Sequence, residues 1–152
     1  MTNIERFMKN YMAVWPSFDA DRLDEAIDPE ATIHHSGMAS PIRGSAEPDY
    51  VRAIKAIMPD IGLEVVNWAG SGDVVFVEYE MSGTLAGKLL KWTGIGRFKL
   101  RGERAIDAIG RWDNLDLLAQ IDPEISSSAF AETAAKLAEG VERHSVGGGE
   151  GA

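Results

Sequence analysis

The stretch ATIHHSGMASPIRG, Ala31 to Gly44, places two histidines side by side, and the chain has one other, His144. An imidazole titrates near about pH 6.5, so it can take or give a proton at neutral pH. Side chains of a strand alternate between faces. Ala31, Ile33 and His35 would share the more apolar face; Thr32, His34 and Ser36 would share the other. His35 is therefore expected inside, as an acid or base or as a core histidine hydrogen-bonded to backbone. His34 is expected outside, as a surface residue.

Tyr11 is the second candidate. It lies on a stripe of Ile4, Phe7, Met8, Tyr11, Met12 and Trp15, at three- and four-residue steps. That spacing predicts a helix over 3–15, stopped by Pro16. A tyrosine hydroxyl in an apolar interior can donate to a carbonyl or enolate oxygen; it can equally be ordinary core. Asp113, in RWDNLD, is the third. Ile106, Ala108, Gly110 and Trp112 form the apolar parity there, which turns Asp113 outward unless a bulge near Gly110 reverses it. Trp15, Phe18, Met38, Met58, Tyr79, Met81, Phe98 and Trp112 could line a wide apolar cavity for a hydrophobic ligand, although each could serve as plain core. No metal site is expected: adjacent strand histidines point to opposite faces, and no third ligand stands at a suggestive spacing.

These residues need elements to position them. SFDADRLDEAI reads as a second short helix capped by Asp19 or Asp21, Asp28-Pro29 as a turn, and Ala31–Ser36 as a strand. MASPIRG reads as a loop. SAEPDYVRAIKAIM reads as a third helix, with Ser45 as cap, Glu47 and Asp49 near its positive end, and Val51, Ile54, Ile57 and Met58 facing the core. The period then changes. LEVVNWAG, DVVFVEYEMSG, KLLKWTGIGRFKL and RAIDAIGRWDNLD are rich in β-formers and separated by turn residues, which predicts a four-stranded antiparallel meander. A last helix is expected over 127–143, then a glycine-rich tail. Helices first and strands after indicate α+β: a curved antiparallel sheet wrapped on three helices, with one open mouth.

Composition sets the bounds. A chain of 152 residues with 45% hydrophobic and 26% charged residues is globular and long enough for a real core. It has no cysteine, which rules out disulfides and thiolate chemistry. The N-terminus has charges throughout and no apolar h-region, so a soluble, cytoplasmic protein is expected. A net charge of −9 argues against nucleic acid as the partner. The basic run GRFKLRGER reads as the solvent face of a hairpin.

With this order of elements the chain resembles the NTF2-like superfamily, in its SnoaL-like and ketosteroid-isomerase-like branch, over roughly 3–122. ATIHHSGMASPIRG is similar to the family's first strand and loop, and RWDNLDLLAQI to its closing strand. The resemblance implies a cone-shaped α+β barrel over 1–125; 126–143 then reads as an extra C-terminal helix and 144–152 as a flexible tail. It implies isomerisation, cyclisation or dehydration of a hydrophobic carbonyl compound, such as a polyketide or steroid-like molecule, without metal or organic cofactor. It equally covers non-catalytic binding and dimerisation modules. His35 falls where the isomerases carry their proton-abstracting aspartate, and Tyr11 at the spacing of their oxyanion tyrosine. Asp113 falls where cyclases and epoxide hydrolases carry a catalytic aspartate. Near Gly96, where the isomerases place a second carboxyl donor, this sequence has none, and VEYEMSG offers Tyr79 and Met81 in place of the epoxide hydrolases' arginine and second aspartate. The resemblance also implies a homodimer through the sheet, which could bury Trp68 and Trp92.

Overall fold

A computed structural model describes residues 1–146; the end of the glycine-rich tail, 147–152, lies outside the described residues. The chain falls into two compact units, Met1–Asn114 and Leu115 onward. The first opens with helix α1, Asn3–Val14. A capping box starts it: the Thr2 side chain accepts from the Glu5 backbone N–H, while Glu5 accepts from the Thr2 backbone. Phe7, Met8, Tyr11 and Val14 are buried along its stripe, but Met12 faces solvent. Pro16 ends the helix in a tight 3-10 turn, Trp15–Ser17. The expected second helix is also a 3-10 helix, Ala20–Glu25, capped by Asp19.

Strand β1 runs Ile27–His34, so Asp28-Pro29 lies within a strand rather than in a turn. Pro29 is tolerated because the pairing with the neighbouring strand shifts between Ile27 and Thr32. The loop after β1 contains a two-residue strand, β2 (Ile42–Arg43), paired antiparallel with Thr32 and Ile33. A 3-10 turn at Gly44–Ala46 leads into helix α2, Glu47–Ile57. Ser45 does not cap it; the first turn is held by Pro48 and by acidic Glu47 and Asp49 at the positive end. Val51 is fully buried, whereas Ile57 is exposed against the helical expectation.

The meander follows: β3 (Gly62–Ser71), β4 (Val74–Leu85), β5 (Lys88–Arg101) and β6 (Arg104–Trp112). Its turns carry positive φ at Gly72, at Ala86-Gly87 and at Gly102, the geometry that matches strand twist. The sheet order is β2-β1-β6-β5-β4-β3. All neighbours are antiparallel except β1 and β6, which are far apart in sequence and pair in parallel.

Odd residues of β4 and even residues of β5 point into the concave face: Val75, Val77, Tyr79 and Met81 beside Leu90, Trp92, Phe98 and Leu100. Trp92 is thus core of its own chain, not a residue awaiting a partner, while Trp68 is partly exposed. Glycines make room for these rings. A Cβ on Gly94 would stand 2.6–2.7 Å from the Tyr79 ring, and Gly96 and Gly110 lie in the same way under Phe98 and Trp112. RWDNLDLLAQI is not one strand: β6 stops at Trp112, and helix α3 spans Asn114–Ile121. The second unit consists of the rest of α3 and helix α4, Pro123–Val146, which is longer than the expected 127–143.

The basic run lies on the solvent side of the β5–β6 hairpin, as expected, and its arginines are paired there. Arg101 reaches Asp28 and Glu30 at 3.0 and 2.8 Å, Arg104 reaches Asp28 at 3.5 Å, and Arg97 pairs with Asp107. The Glu30 backbone N–H and the Arg101 guanidinium hold the buried Asp28 carboxyl below the usual range. A depressed carboxyl contributes stability above its unfolded value of about 4, and that contribution is lost as pH falls through the folded value. Asp28→Asn is therefore expected to lower stability to urea at neutral pH and to flatten the loss on acidification. An unchanged acid-side slope would show that the pair contributes nothing.

Candidate active site

The parallel pairing brings the C-terminal ends of β1 and β6 to one end of the sheet. His35 follows β1 directly, and Trp112 closes β6. The Ser36 hydroxyl donates to the Trp112 carbonyl at 3.0 Å and ties the two ends together. The rings of His35 and Trp112 have centroids 6.1 Å apart. Parity holds along β1: Ala31 and Ile33 are buried, and the His35 side chain is 11% exposed. His34 pairs with Ile109, whose neighbour across β5 is outward-facing Arg97, so His34 belongs to the outer face.

The partner of His35 comes from α2. Its Nε2 lies 2.9 Å from Glu47 Oε2, and Glu47 is 1% exposed. One turn further along α2, the Tyr50 ring stacks on the imidazole, with centroids 4.2 Å apart and planes at 18°. Neither residue was singled out for chemistry by the sequence. The sequence marks Glu47 only as a charge at the helix start, and Tyr50 is not among the residues expected to face the core. The available signal was a titratable or aromatic residue at i and i+3 in the turn that faces β1.

Tyr11 sits deeper, 2% exposed, with centroids 5.7 Å from Phe7, 5.9 Å from Trp15 and 5.3 Å from Phe98. Tyr79 is near enough to both Tyr11 and Tyr50 to interact with each electrostatically. Burial pushes the Tyr79 hydroxyl up to about 12, with Tyr50 adding to the effect. Burial also raises Tyr11 well above its ordinary value, with Tyr79 adding, and raises Tyr50, with Glu47 adding. Tyr11, Tyr79, Tyr50 and Glu47 thus form a series of neighbouring groups ending at His35.

Of the other proposed lining residues, Trp15, Phe18, Met81 and Phe98 are buried, and Trp112 and Met58 are half-buried, Met58 lying over Gly83. Met38 is exposed on the loop after β1. The indole N–H groups of Trp15 and Trp92 are buried without a hydrogen-bond partner. Asp113 is exposed just past β6 and lines an open groove of about 420 Å³ with Glu78, Thr93, Ile95 and Arg111. Glu78, Ile95 and Arg111 stand in register on the outer face. The irregularity of β6 lies opposite Lys99 and Leu100, not near Gly110, so nothing reverses the parity before Trp112. Among the described residues no group of three or more histidine or carboxylate side chains could hold a metal ion.

Residues 8–108, from α1 to the middle of β6, match the model of the SnoaL-like domain. The chain belongs to this family. The matched span of the SnoaL-like domain includes Tyr11, His35, Glu47, Tyr50 and Tyr79; Trp112 and Asp113 lie beyond it. Among solved structures, IdmH from Streptomyces antibioticus, a candidate polyketide cyclase, is similar with a TM-score of 0.67 at 23% identity, over 76% of this chain and 95% of that one. A candidate polyketide cyclase from Acidithiobacillus ferrooxidans gives 0.68 at 19%, over 78% and 94%. A Catenulispora acidiphila protein with a ketosteroid isomerase-like fold, in complex with trimethylamine, gives 0.69 at 14%, over 77% and 92%. At these identities the likeness is one of fold: the SnoaL-like domain has the NTF2-like α+β architecture. A search of curated proteins finds no match.

All three tyrosines of the SnoaL-like domain are held above the ordinary value. Their contribution to stability is complete below the unfolded value of about 10 and is lost as pH rises through the folded values. Little tyrosinate absorbance is therefore expected at about pH 10, with the signal appearing alongside alkaline unfolding. Half of the full tyrosinate signal at that pH in folded protein would contradict the burial described.

Proposed function

We propose that this SnoaL-like domain is a small-molecule enzyme that moves a proton on a hydrophobic carbonyl compound, a polyketide or steroid-like molecule, without a cofactor. The reaction would be an isomerisation, an aldol cyclisation or a dehydration. The observation that carries the reading is the His35–Glu47 pair, a hydrogen-bonded acid/base pair that is almost wholly buried yet at the end of the sheet, beside half-buried Tyr50 and Trp112. An ionisable pair in apolar surroundings is where proton-transfer chemistry is expected.

In this reading His35 takes a proton from the carbon next to the carbonyl, and the electron pair moves to the oxygen. Tyr11 would donate to that oxygen. The unpartnered indole N–H groups of Trp15 and Trp92 support an oxygen-bearing ligand, since a buried donor without an acceptor costs free energy that a ligand carbonyl would recover. Asp113, on the outer-face groove, has no assigned step. The structural neighbours described as candidate polyketide cyclases favour this substrate class.

The second reading is a non-catalytic ligand-binding or dimerisation module. Two observations favour it: Tyr11 is enclosed by three aromatic rings, and the outer face exposes Val66, Phe76 and Ile95, which a homodimer through the sheet would cover. In the enzyme reading the protein works in the cytoplasm on a small molecule rather than on nucleic acid. No described helix is long and apolar enough to cross a membrane.

The test is exchange of α-protons from a panel of polycyclic ketones in D2O, followed by NMR. Wild type is expected to accelerate exchange of at least one ketone, and His35→Ala to slow it by about 10²–10⁴-fold while staying folded. Equal exchange by the two proteins would remove His35 from the reaction. Binding without any exchange would favour the module.

A further inference from the structure

Helix α2 meets the His35 ring, at the end of β1, on two sides. The edge is met by Glu47 at 2.9 Å, and one face is covered by the Tyr50 ring at 4.2 Å. An ionised carboxylate has no hydrogen to give and can only accept. Glu47 occupies the first turn of α2, a position that favours negative charge, and it is anchored by the helix rather than by a loop. A buried carboxylate that accepts from one imidazole nitrogen decides which nitrogen carries the hydrogen and which keeps its lone pair. A stacked aromatic ring fixes the plane in which that lone pair points.

We propose that Glu47 and Tyr50 are the positioning residues of the site: Glu47 holds the hydrogen of neutral His35 on Nε2, Tyr50 fixes the ring plane, and Nδ1 is left as the atom that takes the substrate proton. This rests on the proton-transfer reading above. The balance is simple. The carbon–hydrogen bond next to the carbonyl breaks, its electron pair becomes the enolate, and the proton forms a new bond to Nδ1. The imidazolium so formed keeps its Nε2 hydrogen on Glu47, as an ion pair shielded from water. Return of the proton from Nδ1 to a different atom of the enolate completes an isomerisation and restores the starting tautomer. Glu47 never contacts substrate, and it exchanges no proton in this scheme.

Two measurements test this. The first needs no substrate: the nitrogen shifts of the His35 imidazole, read at a pH where the ring is neutral. Wild type is expected to show the Nε2–H tautomer, and Glu47→Gln a mixture or the Nδ1–H form. Wild type in the Nδ1–H form, or a tautomer unmoved by Glu47→Gln, would overturn the proposal. The second uses the ketone exchange assay. Glu47→Gln is expected to lower kcat by at least about tenfold, with KM little changed, because only transition-state geometry is lost. Tyr50→Leu should also lower kcat, and Tyr50→Phe, which keeps the ring, should recover much of the loss. A change confined to KM in Glu47→Gln, or Tyr50→Phe as slow as Tyr50→Leu, would overturn the positioning roles. If Glu47→Gln fails to fold, Glu47→Asp serves instead: it keeps the charge but shortens the reach, and its tautomer and kcat are expected to fall between wild type and Glu47→Ala. Absence of exchange in wild type, with the Nε2–H tautomer present, would sink the reaction and leave the positioning by Glu47 standing.

Discussion

The parallel pairing of β1 with β6 is the joint on which the first unit depends. It attaches the helical N-terminal part of the chain to the meander, through the register Thr32–Asp107, Ile33–Ala108 and His34–Ile109. Because a strand alternates strictly, this register sets what lies beyond its end. With Ile33 on the concave face, His35 must follow it inward, and Trp112 reaches the same end from β6. A slip of one residue would move His34 inside and carry His35 to the outer face. Asp28 reinforces the joint at the other end of β1 through Arg101 and Arg104.

The concave face is built by a repeated device. Small residues at Gly94, Gly96 and Gly110 let the rings of Tyr79, Phe98 and Trp112 lie flat against the strands. This brings large aromatic area into a small interior and lets α1 approach closely, so that Phe7 and Tyr11 reach Phe98 at 5.2 and 5.3 Å. The polar groups in that interior are few, and they are ordered: the tyrosines in sequence, then Glu47, then His35. Apolar surroundings make each remaining polar contact count for more than it would in water.

Much of this was legible in the sequence. The four meander strands, their turn residues, the α1 stripe and the inward turn of His35 all follow from period and parity. What was not legible depends on pairing across long distances. The parallel joint could not be read from β1 alone, so Asp28-Pro29 resembled a turn. Trp92 resembled an interface residue because parity fixes which side of a strand a residue takes, not which side the core is on. Leucines in NLDLLAQI fitted a strand until Trp112 ended β6 and a helix began. The site shows the same limit: His35 and Tyr11 stood out by type and position, whereas Glu47 and Tyr50 acquire a role only when α2 is laid across the end of β1. Glu47 was one acidic residue among 24 Asp and Glu, and nothing local marked it as buried.

In the proposed reaction the His35 cluster meets a hydrophobic carbonyl compound. The most direct measurement follows the imidazole signals of His34 and His35 by NMR while polycyclic ketones are titrated in. A saturable change is expected at His35, and none at His34 on the outer face. A protein in which every ketone leaves His35 unmoved, or in which only outer-face signals respond, would contradict it.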